Sequence, residues 1–137
     1  MIELIIPSRM GYERLAMDCS ASLARMLGFI QERIEDLRTA VAEACLNAME
    51  HGNRGLDDSR VIIRMNCEGD SLVVSVIDQG KGIRRVLEEP SIEKMIENRQ
   101  PMRGFGVFMI RNLVDQVDFV TDEKQRHTVR MVFRKSH

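Results

Sequence analysis

Two polar side chains interrupt an apolar, helix-like pattern in residues 40–53. The apolar positions that recur at helical spacing are Val41, Ala44, Cys45, Ala48 and Met49. Glu43 and Asn47 lie four residues apart, so a helix places them on the same face, one turn apart. An amide oxygen is a ligand for Mg²⁺ and a carboxylate accepts a proton, so this pair is suited to metal-assisted proton handling. The pair alone leaves an ordinary solvated helix face open as the alternative.

A second candidate site follows a β-branched run at residues 72–77. Asp78 comes directly after this run, and Gly80 and Gly82 follow it. Glycine lets the backbone pass close to a flat ligand, and the carboxylate accepts a hydrogen bond from an exocyclic amine of a ring. Taken by itself, the segment is also typical of a tight turn after a strand.

A third candidate site is the segment Arg103-Gly104-Phe105-Gly106-Val107. The apolar residues that follow, including Ile110 and Val114, have helical spacing, so a glycine-rich loop leads into a helix. Free backbone N–H groups and the helix dipole favour phosphate there, and Arg103 adds a positive charge. A tight corner beside a solvated arginine is the alternative.

Other patterns predict the elements that must position these residues. The strand pattern of residues 2–6 ends at Pro7, which indicates an edge strand, and Ser8 is expected to cap a helix over residues 9–27. A longer helix begins near Gln31 and ends near Gly52. Residues 61–67 and 72–77 form a hairpin, residues 116–121 and 127–133 form two more strands, and residues 83–102 form a lid.

Composition indicates one domain and excludes some partners. The chain has 137 residues, 44% of them hydrophobic, which suffices for a single core. A formal net charge of -1 with scattered basic residues gives no sign of direct nucleic-acid or membrane binding. No apolar run has the length of a membrane span and no signal peptide is evident, so we expect a cytoplasmic protein. We expect the three cysteines to be buried free thiols.

The order of these motifs resembles the GHKL ATP-binding superfamily, which includes gyrase, MutL and histidine-kinase catalytic domains. Within it the chain is most similar to bacterial anti-sigma factor serine/threonine kinases, on the wording E-A-C-L-N-A-M-E-H-G at residues 43–52 and G-F-G-V-F-M-I at residues 104–110. The resemblance covers nearly the whole chain. It implies an α+β fold: a two-layer α/β sandwich whose mixed, mostly antiparallel sheet is covered on one face by three helices.

The resemblance also implies a role for each candidate residue. Asn47 would coordinate the Mg²⁺ of bound ATP, and Glu43 would be the general base. Asp78 would bind the adenine amine, with the backbone of Gly80 and Gly82 closing around the base. The phosphates would lie against the loop that contains Arg103, Gly104, Phe105, Gly106 and Val107.

Thr128 would add a polar contact on the adenine side, by the same resemblance. Here the chain departs from the family, which usually places glycine before this threonine, whereas His127 stands at that position. The segment before Arg103 also lacks a second glycine-rich stretch. Neither departure affects Glu43 or Asn47.

The resemblance implies a homodimeric kinase that phosphorylates a small anti-anti-sigma (STAS-domain) protein and sequesters a sigma factor. One alternative is a non-catalytic binding module in which nucleotide only sets the conformation. Another is a detached histidine-kinase catalytic domain that acts on a separate phosphoacceptor.

Overall fold

The computed structural model describes residues 1–53, 59–79, 109–124 and 126–135. In chain order the elements are β1 (Ile2–Pro7), α1 (Glu13–Met26), α2 (Gln31–Asn47), a π-helical turn (Ala48–Gly52), β2 (Arg60–Glu68), β3 (Ser71–Ile77), α3 (residues 109–113), β4 (Gln116–Thr121) and β5 (His127–Arg134). The strands form one sheet and the helices pack on one of its faces. The predicted α+β sandwich is confirmed.

The sheet has the strand order β1-β2-β3-β5-β4. All four pairs of neighbouring strands in the described part of the chain are antiparallel, so the parallel contribution expected of a mixed sheet does not occur there. β1 lies at one edge, as the proline at its end predicted, with Pro7 in register with Arg60. The predicted hairpin is β2–β3, and Gly69 in its turn has a φ of 64° that glycine adopts without strain.

The core lies between the sheet and the two long helices. Every second residue of β3, namely Leu72, Val74 and Val76, is buried in it. α2 contributes its apolar stripe, with Leu37 and Val41 fully buried. None of the helices in the described ranges combines the length and apolarity of a membrane span.

The start of the first helix differs from the prediction. α1 begins after Tyr12 instead of at residue 9, and Ser8 does not cap it. Ser8 is buried and its backbone N–H donates to the carbonyl of Ser59 (3.0 Å), so a contact between distant residues replaces the expected local cap. The end agrees with the prediction, because Gly28 follows α1 with a φ of 86°.

The cysteines only partly match the expectation of buried thiols. Cys45 is fully buried, and this burial raises the pKa of its thiol far above the usual range. Cys19 is partly buried. Cys67 is exposed because it lies near the hairpin end of β2, where Asn66 and Glu68 are exposed as well.

A buried ion pair joins the first turn of α2 to the start of β4. The guanidinium of Arg33 pairs with the carboxylate of Asp115, and both side chains are buried. Arg33 also donates to the carbonyl of Leu113 (3.2 Å) and to Asp36 (3.1 Å). Asp115 in turn accepts the backbone N–H of Arg134 in β5 (2.7 Å). These bonds attach α2 to the region where α3, β4 and β5 meet.

Asn53, directly after the π-helical turn, forms a second connection. It is fully buried, and its backbone N–H donates to the carbonyl of Ala48 (2.8 Å), the five-residue spacing of a π-helix. Its side-chain Nδ2 donates to the carbonyl of Arg60 at the start of β2 (2.8 Å). Its Oδ1 accepts the backbone N–H of Gln79, just after β3 (2.8 Å). One side chain therefore connects the end of the helical segment to the ends of two strands.

We expect Arg33→Ala to lower the free energy of unfolding by about 3–5 kcal/mol, because it removes the cation that pairs with the buried carboxylate of Asp115. The matched control is Arg38→Ala on the same helix. Arg38 pairs with the exposed Asp18, and loss of such a pair costs about 1 kcal/mol or less. Urea unfolding followed by circular dichroism measures both variants. Equal costs would contradict the structural role of the buried pair.

We expect Asn53→Ala to lower the free energy of unfolding by about 1–3 kcal/mol, because it removes two partly buried hydrogen bonds that each contribute about 0.5–1.5 kcal/mol. Asn66→Ala, at an exposed position of β2, serves as control and should change stability by about 0.5 kcal/mol or less. Native-state hydrogen exchange adds a local measurement, since the Gln79 amide should exchange faster in Asn53→Ala. Unchanged exchange at Gln79 would show that this bond does not protect it.

Candidate functional site

Glu43 and Asn47 occupy the last turns of α2, as predicted, with Asn47 as its final residue. Ala44 and Cys45 between them are fully buried, and their packing sets the rotation of the helix about its axis. Glu43 and Asn47 are each partly buried, and the atoms Glu43 Oε2 and Asn47 Oδ1 are shielded from solvent. The helix thus holds a carboxylate and an amide one turn apart at the margin of the core.

No residue in the described part of the chain donates a hydrogen bond to the amide oxygen of Asn47, although this Oδ1 atom is buried. A buried acceptor in this state costs free energy and calls for a ligand, an ion or a water molecule as its partner. A hard divalent cation prefers an oxygen donor of this kind. Asn47 therefore fits the role of a magnesium ligand that the family resemblance implies for it.

The helical segment changes its geometry directly after Asn47. Residues Ala48–Gly52 form a π-helical turn, a rare conformation that occurs mostly as short insertions and often at functional sites. The turn redirects the chain so that Asn53 reaches the strand ends, whereas Asn47 keeps the α-helical position. Both polar residues are thus positioned by the same stretch of chain.

Asp78 lies at the end of β3, and its carboxylate is almost completely buried, with 3% of the residue exposed. It continues the alternation of Val74 and Val76, so its side chain points to the helix-covered side of the sheet, the side on which α2 packs against β3. The backbone of Asp78 donates to the carbonyl of His127 (3.0 Å). In return, Asp78 Oδ1 accepts the backbone N–H of His127 (3.0 Å), and Oδ2 lies 3.2 Å from His127 Nδ1.

The position of Thr128 follows from the pairing of β5 with β3. It is in register with Ile77, and neither residue belongs to the core cluster on the helix side, so Thr128 lies on the opposite face of the sheet from the Asp78 carboxylate. The structure does not bring Thr128 and Asp78 together, and a contact of Thr128 with adenine stays a prediction. His127 is the residue beside Asp78.

Two residues of this region are functional candidates that the sequence did not indicate. In the sequence, His127 stands out only as a departure from the family pattern. Its position at the start of a predicted strand is the one signal that could have placed it opposite the end of β3. Asn53 directly follows the predicted end of the second helix near Gly52, and nothing in the local sequence indicates its contacts with Arg60 and Gln79.

The remaining predicted site residues lie outside the described residues. These are Gly80, Gly82, Arg103, Gly104, Phe105, Gly106 and Val107, together with the predicted lid at residues 83–102. Their roles stay predictions. The helix expected after the glycine-rich loop is described at residues 109–113, where Ile110 is fully buried, as its spacing predicted.

A lowered carboxyl pKa occurs outside this region, at Asp122 in the turn between β4 and β5. The backbone N–H of Arg126 donates to Asp122, and the guanidinium of Arg126 and the backbone N–H of Lys124 add to it. Together these bonds hold the pKa of Asp122 below its usual range. Asp122 is therefore a charged turn residue that fixes the geometry preceding His127.

Comparison with known proteins identifies the family of this chain. A model of the histidine kinase-like ATPase domain matches residues 6–133. The serine-protein kinase RsbW of Bacillus cereus is 29% identical over 127 residues, which span 89% of this chain and 78% of the relative. The serine-protein kinase RsbW of Listeria monocytogenes serotype 4a is 32% identical over 126 residues, with coverages of 89% and 80%.

A solved structure shows the same fold. It contains the RsbU and RsbW domains of Rv1364c from Mycobacterium tuberculosis and superimposes with a TM-score of 0.62 at 19% identity. The match covers 98% of this chain and 32% of that one, so this chain spans about a third of that protein's length. With a family model that matches most of its length and a kinase relative above 30% identity, the chain belongs to the histidine kinase-like ATPase domain family and, within it, to the group of the RsbW serine-protein kinases.

Proposed function

We propose that this chain is an anti-sigma factor serine/threonine kinase. It binds Mg-ATP, phosphorylates a small anti-anti-sigma (STAS-domain) protein and sequesters a sigma factor. The observation that carries the proposal is the pair Glu43 and Asn47 on the last turns of α2, where the buried Asn47 Oδ1 has no donor among the described residues. The names of the relatives, serine-protein kinases, support the reaction type.

The nucleotide binds between the helix layer and the sheet. Asp78 accepts a hydrogen bond from the adenine amine, and Gly80 and Gly82 let the backbone approach the base. The loop that begins at Arg103 and contains Gly104, Phe105, Gly106 and Val107 binds the phosphates through backbone N–H groups. A contact of Thr128 with adenine rests on the family resemblance alone, because Thr128 lies on the opposite face of the sheet from the Asp78 carboxylate.

Asn47 is the protein's ligand for magnesium. Among the described residues, no three His, Cys, Asp or Glu side chains lie close enough to bind a metal ion, which fits an ion held mainly by one amide and by the phosphates of the nucleotide. When bound, Mg²⁺ neutralises charge on the phosphate oxygens. The core packing of α2 fixes the backbone position of Asn47. The Asn47 side chain would in turn fix the position of the bound ion.

Glu43 is the general base. Its carboxylate accepts the proton of the serine or threonine hydroxyl as the hydroxyl oxygen forms a bond to the γ-phosphorus. The bond between the γ-phosphorus and the bridging oxygen breaks, and ADP leaves with that oxygen. The proton remains on Glu43 until solvent removes it, so the chain is unchanged after one turnover.

The reaction also operates a switch between partners. Phosphorylation adds nearly two negative charges to the antagonist at its contact surface, which favours its dissociation by repulsion and desolvation. The kinase is then available to bind the sigma factor. This regulation of transcription takes place in the cytoplasm, and the working form is a homodimer.

We expect Glu43→Gln to reduce phosphate transfer by at least about 10²-fold, because glutamine cannot accept the proton. Its affinity for Mg-ATP should stay close to that of the parent. Glu35→Gln, at an exposed position of the same helix, is the matched control and should transfer phosphate normally. The assay uses radiolabelled ATP and STAS-domain proteins from the same genome, with phosphoserine or phosphothreonine mapped by mass spectrometry.

Other outcomes would support the alternatives. If the parent binds Mg-ATP and partners but transfers no phosphate, and Glu43→Gln behaves like the parent, the chain is a non-catalytic binding module. Acid-labile phosphate on the acceptor would indicate phosphohistidine and a detached histidine-kinase domain. Acid-stable phosphoserine or phosphothreonine is the result that our proposal requires.

We expect Mg-ATP to raise the free energy of unfolding by about 2.7 kcal/mol at a hundredfold excess over the dissociation constant, because it binds only the folded chain. Asp78→Asn should remove most of this gain through loss of the carboxylate. Asp118→Asn, exposed on β4, should keep it. Thermal unfolding with and without Mg-ATP measures the effect, and a full gain in Asp78→Asn would show that Asp78 does not bind the base.

A further inference from the structure

The imidazole of His127 contacts the carboxylate that is proposed to bind adenine. His127 Nδ1 lies 3.2 Å from Asp78 Oδ2, and the backbone N–H of His127 donates to Oδ1 of the same carboxylate (3.0 Å). In the tautomer of His127 that carries its hydrogen on Nδ1, this nitrogen donates to the Asp78 carboxylate, which in its ionised form only accepts hydrogen bonds. The two oxygens of Asp78 are thus bound by the backbone and by the side chain of one residue.

The two bonds have different consequences for the carboxylate. The backbone bond belongs to the pairing of β3 with β5, so it persists whatever side chain stands at position 127. This backbone bond restrains Oδ1 but does not by itself fix the rotation of the carboxylate group. The imidazole provides a second hydrogen bond, at Oδ2. With both oxygens held, the plane of the Asp78 carboxylate is fixed.

The burial of the two side chains makes this contact testable. The side chain of Asp78 is 4% exposed, whereas that of His127 is 32% exposed. The histidine therefore contributes little to the core, and its replacement does not create a large cavity. A buried carboxylate, in contrast, depends strongly on each donor that it has.

We propose that His127 is a positioning residue for base selection: its imidazole holds the plane of the Asp78 carboxylate in the orientation that accepts the exocyclic amine of adenine. This inference rests on the proposed role of Asp78 in binding the base. In this proposal His127 affects recognition of the adenine amine and has no part in the contacts with phosphate and metal.

Two substitutions separate the hydrogen bond from the shape of the side chain. His127→Asn keeps a nitrogen donor on the γ-carbon, at the same number of bonds from the backbone as Nδ1. His127→Leu keeps a branch at the same place without a donor. Both retain the backbone bonds between positions 127 and 78.

The probes are Mg-ATP and Mg-ITP, which carries an oxygen in place of the adenine amine. Calorimetric titration of the full chain is expected to show that the parent prefers ATP. His127→Leu should weaken ATP binding by about tenfold, the loss typical of one hydrogen bond to a charged group, and change ITP binding by about twofold or less. His127→Asn should keep the parent's ATP-to-ITP ratio within about threefold.

Several results would overturn the inference. If His127→Leu keeps the parent's ATP-to-ITP ratio, or weakens both nucleotides equally, the histidine has no role in base selection. If thermal unfolding shows that His127→Leu is not folded, His127→Ala is measured in its place and judged by the same ratio. A parent that does not distinguish ATP from ITP would instead remove the base-binding role of Asp78, and phosphate transfer by the parent would still test the kinase proposal independently.

Discussion

The burial of one face of α2 against the sheet is the constraint on which the site depends. Ala44 and Cys45 have no exposed surface, so the helix cannot rotate about its axis without exposing them. Glu43 and Asn47 flank these residues, so the same packing fixes their positions. The ion pair of Arg33 with Asp115 attaches the opposite end of the same helix to the sheet. The helix is therefore fixed at both ends, and its polar pair is preorganised before any ligand arrives.

The strand ends hold the other half of the site by a different physical means. Asp78 is fixed by hydrogen bonds instead of apolar packing: its carboxylate is bonded by His127, and the next residue, Gln79, donates to Asn53. Such bonds are directional, so they orient a carboxylate more narrowly than close packing would. Asn53 also follows the helical segment directly. It therefore connects the helix that carries Glu43 and Asn47 to the strand end that carries Asp78.

Local patterns in the sequence were enough to predict most of the fold. Runs of β-branched residues predicted the β2–β3 hairpin, and apolar spacing predicted α2. Positions that depend on contacts between distant residues do not follow from local patterns. Ser8 bonds to Ser59 instead of capping a helix, and the position of Thr128 follows from its register with Ile77, which no local pattern encodes. His127 and Asn53 acquire their contacts in the same way, only once the strands have paired.

The π-helical turn also constrains the length of the chain. Asn47 takes its position from the α-helical register and Asn53 from the wider turn that follows, with five residues, Ala48–Gly52, between them. Deleting one residue from this stretch would rotate Asn53 away from Arg60 and Gln79, or else shift Asn47 off its face. An insertion or a deletion within the turn would therefore displace one of the two asparagines, so the number of residues between them is as important as their identity.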